Sequence, residues 1–237
     1  MRANHHGVAA GSFQPAAPAD GPGPPSGPGV TFASTEHFNL QTARALTVAE
    51  ANGRASIYLA ALSSNLIALA FIGQMSRLGT AFYAFALILL PVLAFVGTVT
   101  FLRLVQSSVE DIAYAQRIAL VRSYYLRVAP ELEPYFVVLR ARQGSLHGGP
   151  GAWQLTLTAA GMVAVVNSVV MAACAGLVLV AAGVHSLAIP VAVGALVGAG
   201  AFSLHERHHR RARDAYSPGA VDRAAILIPP PRPADTA

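Results

Sequence analysis

His205, Glu206, Arg207, His208 and His209 spell H-E-x-x-H. On a helix this spacing sets two imidazoles on one face with a carboxylate between them, the arrangement zinc proteases use for metal and base. No glutamate follows Glu206 in the chain, so the third ligand would have to be Asp214 or Asp222. The segment is rich in His and Arg, where the pattern arises easily by chance, and a basic cap on a membrane helix is the favoured reading. Only His205 and His209 stand as metal candidates. No catalytic residue and no cofactor is expected. The single cysteine, Cys174, lies in an apolar run and reads as a buried thiol, because one cysteine makes neither an internal disulfide nor a CxxC site.

Two amides and several hydroxyls interrupt long apolar stretches. Asn65 and Asn167 are expected to hydrogen-bond between helices, since an unpaired amide in hydrocarbon costs a few kcal/mol. The sharper alternative is a polar pathway lined by Asn65 and Asn167 with Ser63, Ser64 and Ser168. Small residues recur at four-residue spacing: Ser56, Ala60, Ser64 and Ala68, then Ala160, Ala164, Ser168, Ala172 and Gly176, while Gly194 and Gly198 form a GxxxG. Such ridges allow close helix contact in lipid, within one chain or between copies.

Glu110 and Asp111 are adjacent, so on a helix they point about 100° apart and do not make an acid–base pair. They are expected to pair with Arg103, Arg117 or another chain. Tyr124, Tyr125 and Tyr135 lie among Arg122, Arg127 and Arg140, which could suit a nucleotide or lipid headgroup, though a solvated or interfacial helix face is the favoured reading.

These residues need elements to hold them, and composition says what those elements are. The chain is 54% hydrophobic and 11% charged, against roughly a quarter charged for a soluble domain. It cannot coat a globule with charge, so much of its surface must face lipid. All 16 basic residues counted as Lys or Arg are arginines, a usage that follows GC-rich codons and, placed beside apolar runs, marks membrane topology rather than nucleic-acid binding.

The pattern predicts an all-α integral membrane protein with four transmembrane helices in two antiparallel hairpins and a long cytoplasmic helical extension. Residues 1–34 read as a disordered Pro/Gly/Ala-rich tail, which has no apolar core of a signal peptide, and 35–54 as a juxtamembrane helix. The first hairpin covers 55–102, with spans at 55–75 and 81–102. Pro91 is expected to kink the second span. A cytoplasmic helical loop follows over 103–153. The second span runs on as one long helix to near Pro130, with Arg103, Glu110 and Arg117 on one face. Gly144, Gly148, Gly149 and Pro150 make a flexible return. The second hairpin covers 154–204, and 205–237 is a basic, then Pro-rich tail.

No Asp, Glu, Lys or Arg lies inside any span, which argues against proton-coupled exchange and voltage sensing. Arg44, Arg54, Arg103, Arg117, Arg122, Arg127, Arg140, Arg142, Arg207, Arg210, Arg211 and Arg213 flank one side, against Arg77 alone on the other. Both ends are therefore expected in the cytoplasm, with the chain multi-pass in the cytoplasmic membrane.

The runs Asn52-Gly53-Arg54-Ala55-Ser56-Ile57-Tyr58-Leu59, Arg103-Leu104, Glu110-Asp111-Ile112 and Arg122-Ser123-Tyr124-Tyr125 resemble a group of integral membrane proteins of high-GC bacteria that carries no assigned activity. The resemblance covers about residues 50–182. In architecture, the leading helix, tight hairpin and long cytoplasmic helix look like the SLATT class of bacterial effectors, which are thought to make pores. That resemblance implies a non-enzymatic, oligomeric signalling effector or gated pore. It would contact the lipid bilayer and its own copies, and an unidentified cytoplasmic protein or nucleotide, but no nucleic acid. The alternatives are an anchor or scaffold that binds partners through loop and tails, and a zinc membrane enzyme at His205, Glu206 and His209.

Overall fold

A computed structural model describes residues 28–136 and 157–215. Four long helices make up nearly all of it: α1 (Pro28–Met75), α2 (Thr80–Val128), α3 (Ala159–Ala181) and α4 (Ala188–Asp214), with a 3₁₀ turn at Pro130–Phe136. All four are long and apolar enough to cross a membrane. They pack as two hairpins, α1 on α2 and α3 on α4, and α2 touches every other helix.

Both hairpin turns are closed by the bond that ends many helices in a left-handed residue. Val184 donates its amide to Leu179, at 3.1 Å, with Gly183 at φ 89°. Leu78 donates to Gly73, at 2.9 Å, across Arg77 at φ 48°. Arginine takes the place where glycine is usual, and Leu78 after it is also at positive φ, 57°, so two side chains of this turn bear the strain of the left-handed region. At the start of α3, Thr158 caps the helix by accepting the Gly161 amide at 3.1 Å.

Two boundaries differ from expectation. The first helix begins at Pro28, not Thr35, so 28–34 are helical and do not belong to a disordered tail. Proline suits a first helical position, because its φ is preset and its missing N–H would have no partner there. Gly53 leaves α1 unbroken, as Pro91 leaves α2. The last helix runs through the basic segment to Asp214 in place of stopping at Leu204. The expected glycine-rich return, residues 154–156 and the Pro-rich end lie outside the described residues.

The first two helices continue well past the apolar spans. Residues 28–54 of α1 and 103–128 of α2 run side by side as a two-helix stalk. Either extension is roughly 40 Å long at 1.5 Å per residue. Val30, Ala33, His37, Leu40, Arg44, Thr47 and Ala51 line the covered side of α1 at alternating spacings of three and four. Leu104, Ser108, Asp111, Ala115, Ile118, Arg122 and Tyr125 do so on α2. That is the seam of a coiled coil, though a polar one.

Two apolar clusters fill the bundle. Near the stalk, Ala55 and Tyr58 of α1 meet Phe101, Leu104 and Val105 of α2 and Ala160, Val163 and Ala164 of α3, with Ala212 of α4 against them. Toward the turns, Leu62, Leu69, Ala86, Leu90, Leu93, Ala94 and Val170 form the second. Outside them Ile57, Phe71, Ile88, Phe95, Val169, Val191 and Leu196 are exposed. These side chains ring the spans and have no place in water.

Candidate functional site

The junction of spans and stalk gathers most of the buried polar atoms. Asn167 of α3 is fully buried. Its Oδ1 accepts the Tyr58 hydroxyl of α1 at 3.3 Å, and its Nδ2 donates to Thr98 Oγ1 of α2 at 3.0 Å. Thr98 in turn donates to the Ala94 carbonyl at 2.8 Å. One amide thus ties three helices together, and the chain of donors ends on backbone, so nothing in it is left unpaired. Gly97 makes the network possible. A Cβ there would meet the Tyr58 hydroxyl at 2.5 Å and press still closer on the Asn167 amide.

Asn65 behaves differently. Its Nδ2 donates to the Ala61 carbonyl of its own helix at 2.8 Å, and the two amides do not meet. Ser63, Ser64 and Ser168 likewise donate to Leu59, Ala60 and Ala164, one turn back. Each of these hydroxyls is therefore satisfied within its own helix.

The small-residue ridges divide as well. Ala160, Ala164 and Ser168 are buried. Gly194 and Gly198 of α4 lie against α3 so closely that a Cβ would come within 2.7 Å of the Ala172 carbonyl oxygen and 2.9 Å of the Ala172 methyl. Here the GxxxG joins two helices of one chain, backbone to backbone. Ser56, Ala60 and Ser64, by contrast, are exposed on α1.

The histidine segment turns inward. His205 and His209 share a face of α4 and are buried, with His209 only 1% exposed. The rings of His205 and His209 stand edge-on to Phe101 of α2, with centroids at 4.4 and 6.4 Å. His205 Nδ1 lies 2.6 Å from the Ala201 carbonyl, whereas His205 Nε2 and both nitrogens of His209 have no partner. Burial, then the nearby Arg213, pushes His209 below its ordinary pKa, with Glu206 opposing and His208 adding to the fall. Glu206 is bound by Arg210 at 2.8 Å and not held free as a base. Among the described residues no three His, Cys, Asp or Glu side chains converge as metal ligands. Asp222 lies outside those residues.

In the stalk, Asp111 takes Arg44 of α1 as its partner, with Nε–Oδ1 at 2.6 Å and Nη2–Oδ2 at 3.2 Å. It does not pair with the expected Arg103 or Arg117. Hydrogen bonding to Asp111 holds the Arg44 guanidinium above its ordinary pKa. Arg103 donates to Gln106 at 3.2 Å, Arg117 lies over the Tyr114 ring at 5.9 Å, and Glu110 is exposed. Arg122 faces the seam, where burial first and this guanidinium second lower the His37 pKa. Tyr125 presents an edge to His37 at 5.8 Å. These aromatics are spent on the seam, and the side chain of Tyr135 lies outside the described residues.

Tyr58, Gly97, Thr98, Phe101 and Arg44 were missed by sequence reasoning. A signal existed for Arg44, which falls seven residues after His37 and seven before Ala51 on one seam. Comparison of the chain with protein-family models, with curated proteins and with solved structures gives no match.

Proposed function

We propose that the chain is a non-enzymatic, self-associating multi-pass protein of the cytoplasmic membrane, with both ends in the cytoplasm, which relays a signal between its stalk and its membrane bundle. The observation that carries this reading is the continuity of α1 and α2, 48 and 49 residues long without a break. A displacement of the stalk is delivered along the same two helices to Gly97 and the Tyr58–Asn167–Thr98 network, where α3 is attached. Arginine beside the apolar segments sets the orientation. The output is a gated pore of the kind the SLATT resemblance implies. Since Asn167 is sealed inside one copy, any conducting path runs between copies.

The test is membrane potential in cells during graded induction, read with a dye. Wild type depolarises the membrane. Arg44→Asp, which breaks the stalk ion pair, changes that response, and Arg44→Asp with Asp111→Arg restores it. Potential that stays constant in all three, with each protein confirmed in the membrane, removes the relay and leaves the scaffold.

A further inference from the structure

The stalk is uneven in a way its own packing does not explain. A helix that is solvated on one side normally carries charge there. The outer side of α2 does so, with Arg103, Glu110, Arg117 and Arg127 exposed. On α1 the charges lie elsewhere: Arg44 faces the seam, and at 100° per residue Glu36, Glu50 and Arg54 gather on one flank. The side opposite the seam has none over the whole helix. It presents Phe38 and Leu46, which are 70% and 65% exposed. Phe38 precedes Arg54 by 16 residues, so it stands about 24 Å beyond the span, out of reach of lipid.

Beyond these large side chains, toward and into the apolar half of α1, runs a strip of small ones: Ala49, Gly53, Ser56, Ala60 and Ser64, all exposed. Gly53 is the informative member. Glycine inside a helix costs about 1 kcal/mol relative to alanine, and a Cβ there would meet nothing within 4 Å. Gly97 and Gly194 answer for their cost by letting neighbouring groups close in. Within one copy Gly53 admits no neighbour.

We infer that this side of α1 is the contact surface for a second copy of the chain, packed parallel, α1 against α1, through both stalk and span. The inference rests on the multi-pass reading above. Insertion in one bilayer gives two copies the same direction and depth, so the strip of each meets the strip of the other in register. Lipid would cover only the membrane half, and a soluble partner only the stalk half. An uncharged surface also meets its own copy without repulsion. The available area suffices: a 48-residue helix is about 72 Å long. A contact strip roughly 9 Å wide then buries roughly 650 Å² per copy. The total of roughly 1,300 Å² lies within the range of stable interfaces, about 1,200–2,000 Å².

The test is oxidative cross-linking in native membranes with Cys174→Ala as background. Ala49→Cys and Ser56→Cys should give disulfide dimers, and the depth-matched Gln106→Cys and Val99→Cys on α2 should give none. Adding Gly53→Leu should abolish the dimer while the full-length chain stays in the membrane with unchanged helix content, because the new side chain meets open space in the monomer. Equal cross-linking at the α2 controls, no cross-linking at either α1 position, or dimers that survive Gly53→Leu would overturn the surface. Dimers formed without any change in membrane potential uphold the surface while defeating the relay. Dimers that survive Gly53→Leu while Arg44→Asp still alters the membrane potential defeat the surface and leave the relay standing.

Discussion

Between Gly97 and Phe101, α2 is gripped from three sides; between Asp111 and Tyr125 it is held by α1 alone. In the first region the contacts are neutral: an amide shared among three helices, a glycine that admits it and histidine rings edge-on to Phe101. In the second they are ionic and aromatic, and between Asp111 and Tyr125 and on the part of α1 facing them only Leu40 and Ile118 of the seam are well buried. The same two helices therefore use two chemistries. In lipid the hydrophobic effect does not drive helices together, so fit and hydrogen bonds must. In water a polar seam with few apolar residues is weak, and the stalk leans on its continuity with the bundle.

The contrast can be broken at its strong end first. Gly97→Val should be the most damaging single change. Its side chain would overlap Asn167 and Tyr58, and overpacking together with loss of the network should cost about 3 kcal/mol or more. Thermal unfolding in detergent checks this, and a melting temperature close to wild type would show that α3 does not need Gly97. Asn167→Leu should be milder, about 1–2 kcal/mol, since it leaves the Tyr58 hydroxyl without an acceptor but keeps the volume.

At the stalk, Arg44→Ala should cost no more than about 1 kcal/mol and its effect should fade in high salt, because the pair is partly open to solvent. Hydrogen exchange of the stalk amides would report it. A cost that is large and independent of salt would mean the seam depends on this pair more than its exposure allows.

The smallest effect concerns pH. Burial keeps His209 below its ordinary pKa when folded, so the unfolded chain binds the proton first as pH falls. Stability is unaffected well above pH 6.5, the ordinary histidine value, and declines as pH drops through that value toward the lowered one. His209→Phe should flatten the decline over that window in a series of melting curves. An unchanged slope would assign the sensitivity to another group.

The spans were legible because hydropathy over some twenty residues is a long-range signal that tertiary contacts do not alter. The stalk was half legible. The run of α2 to near Pro130 followed from its periodicity, and it ends at Val128. The matching start of α1 at Pro28 was hidden by proline and glycine before it. The site was the least visible. Asn167 is conspicuous as an amide in an apolar run, but Tyr58 and Thr98 become its partners only through the crossing of three helices. Likewise nothing in Arg44 names Asp111, 67 positions away. Ser56 and Gly194 look alike as small residues in sequence; only the fold shows one turned outward and the other pressed against a neighbour.

The length of the stalk has a mechanical corollary. An arm of roughly 40 Å pivoting where three helices are pinned at Gly97 turns a tilt of about 5° into a sweep of roughly 3–4 Å at its tip. Run in reverse, a partner that pushes the tip sideways by the width of one side chain rotates the pinned end by only a few degrees, with a mechanical advantage that multiplies force at the fulcrum. Whatever engages the far end of α1 and α2 works the bundle as a crowbar works a lid.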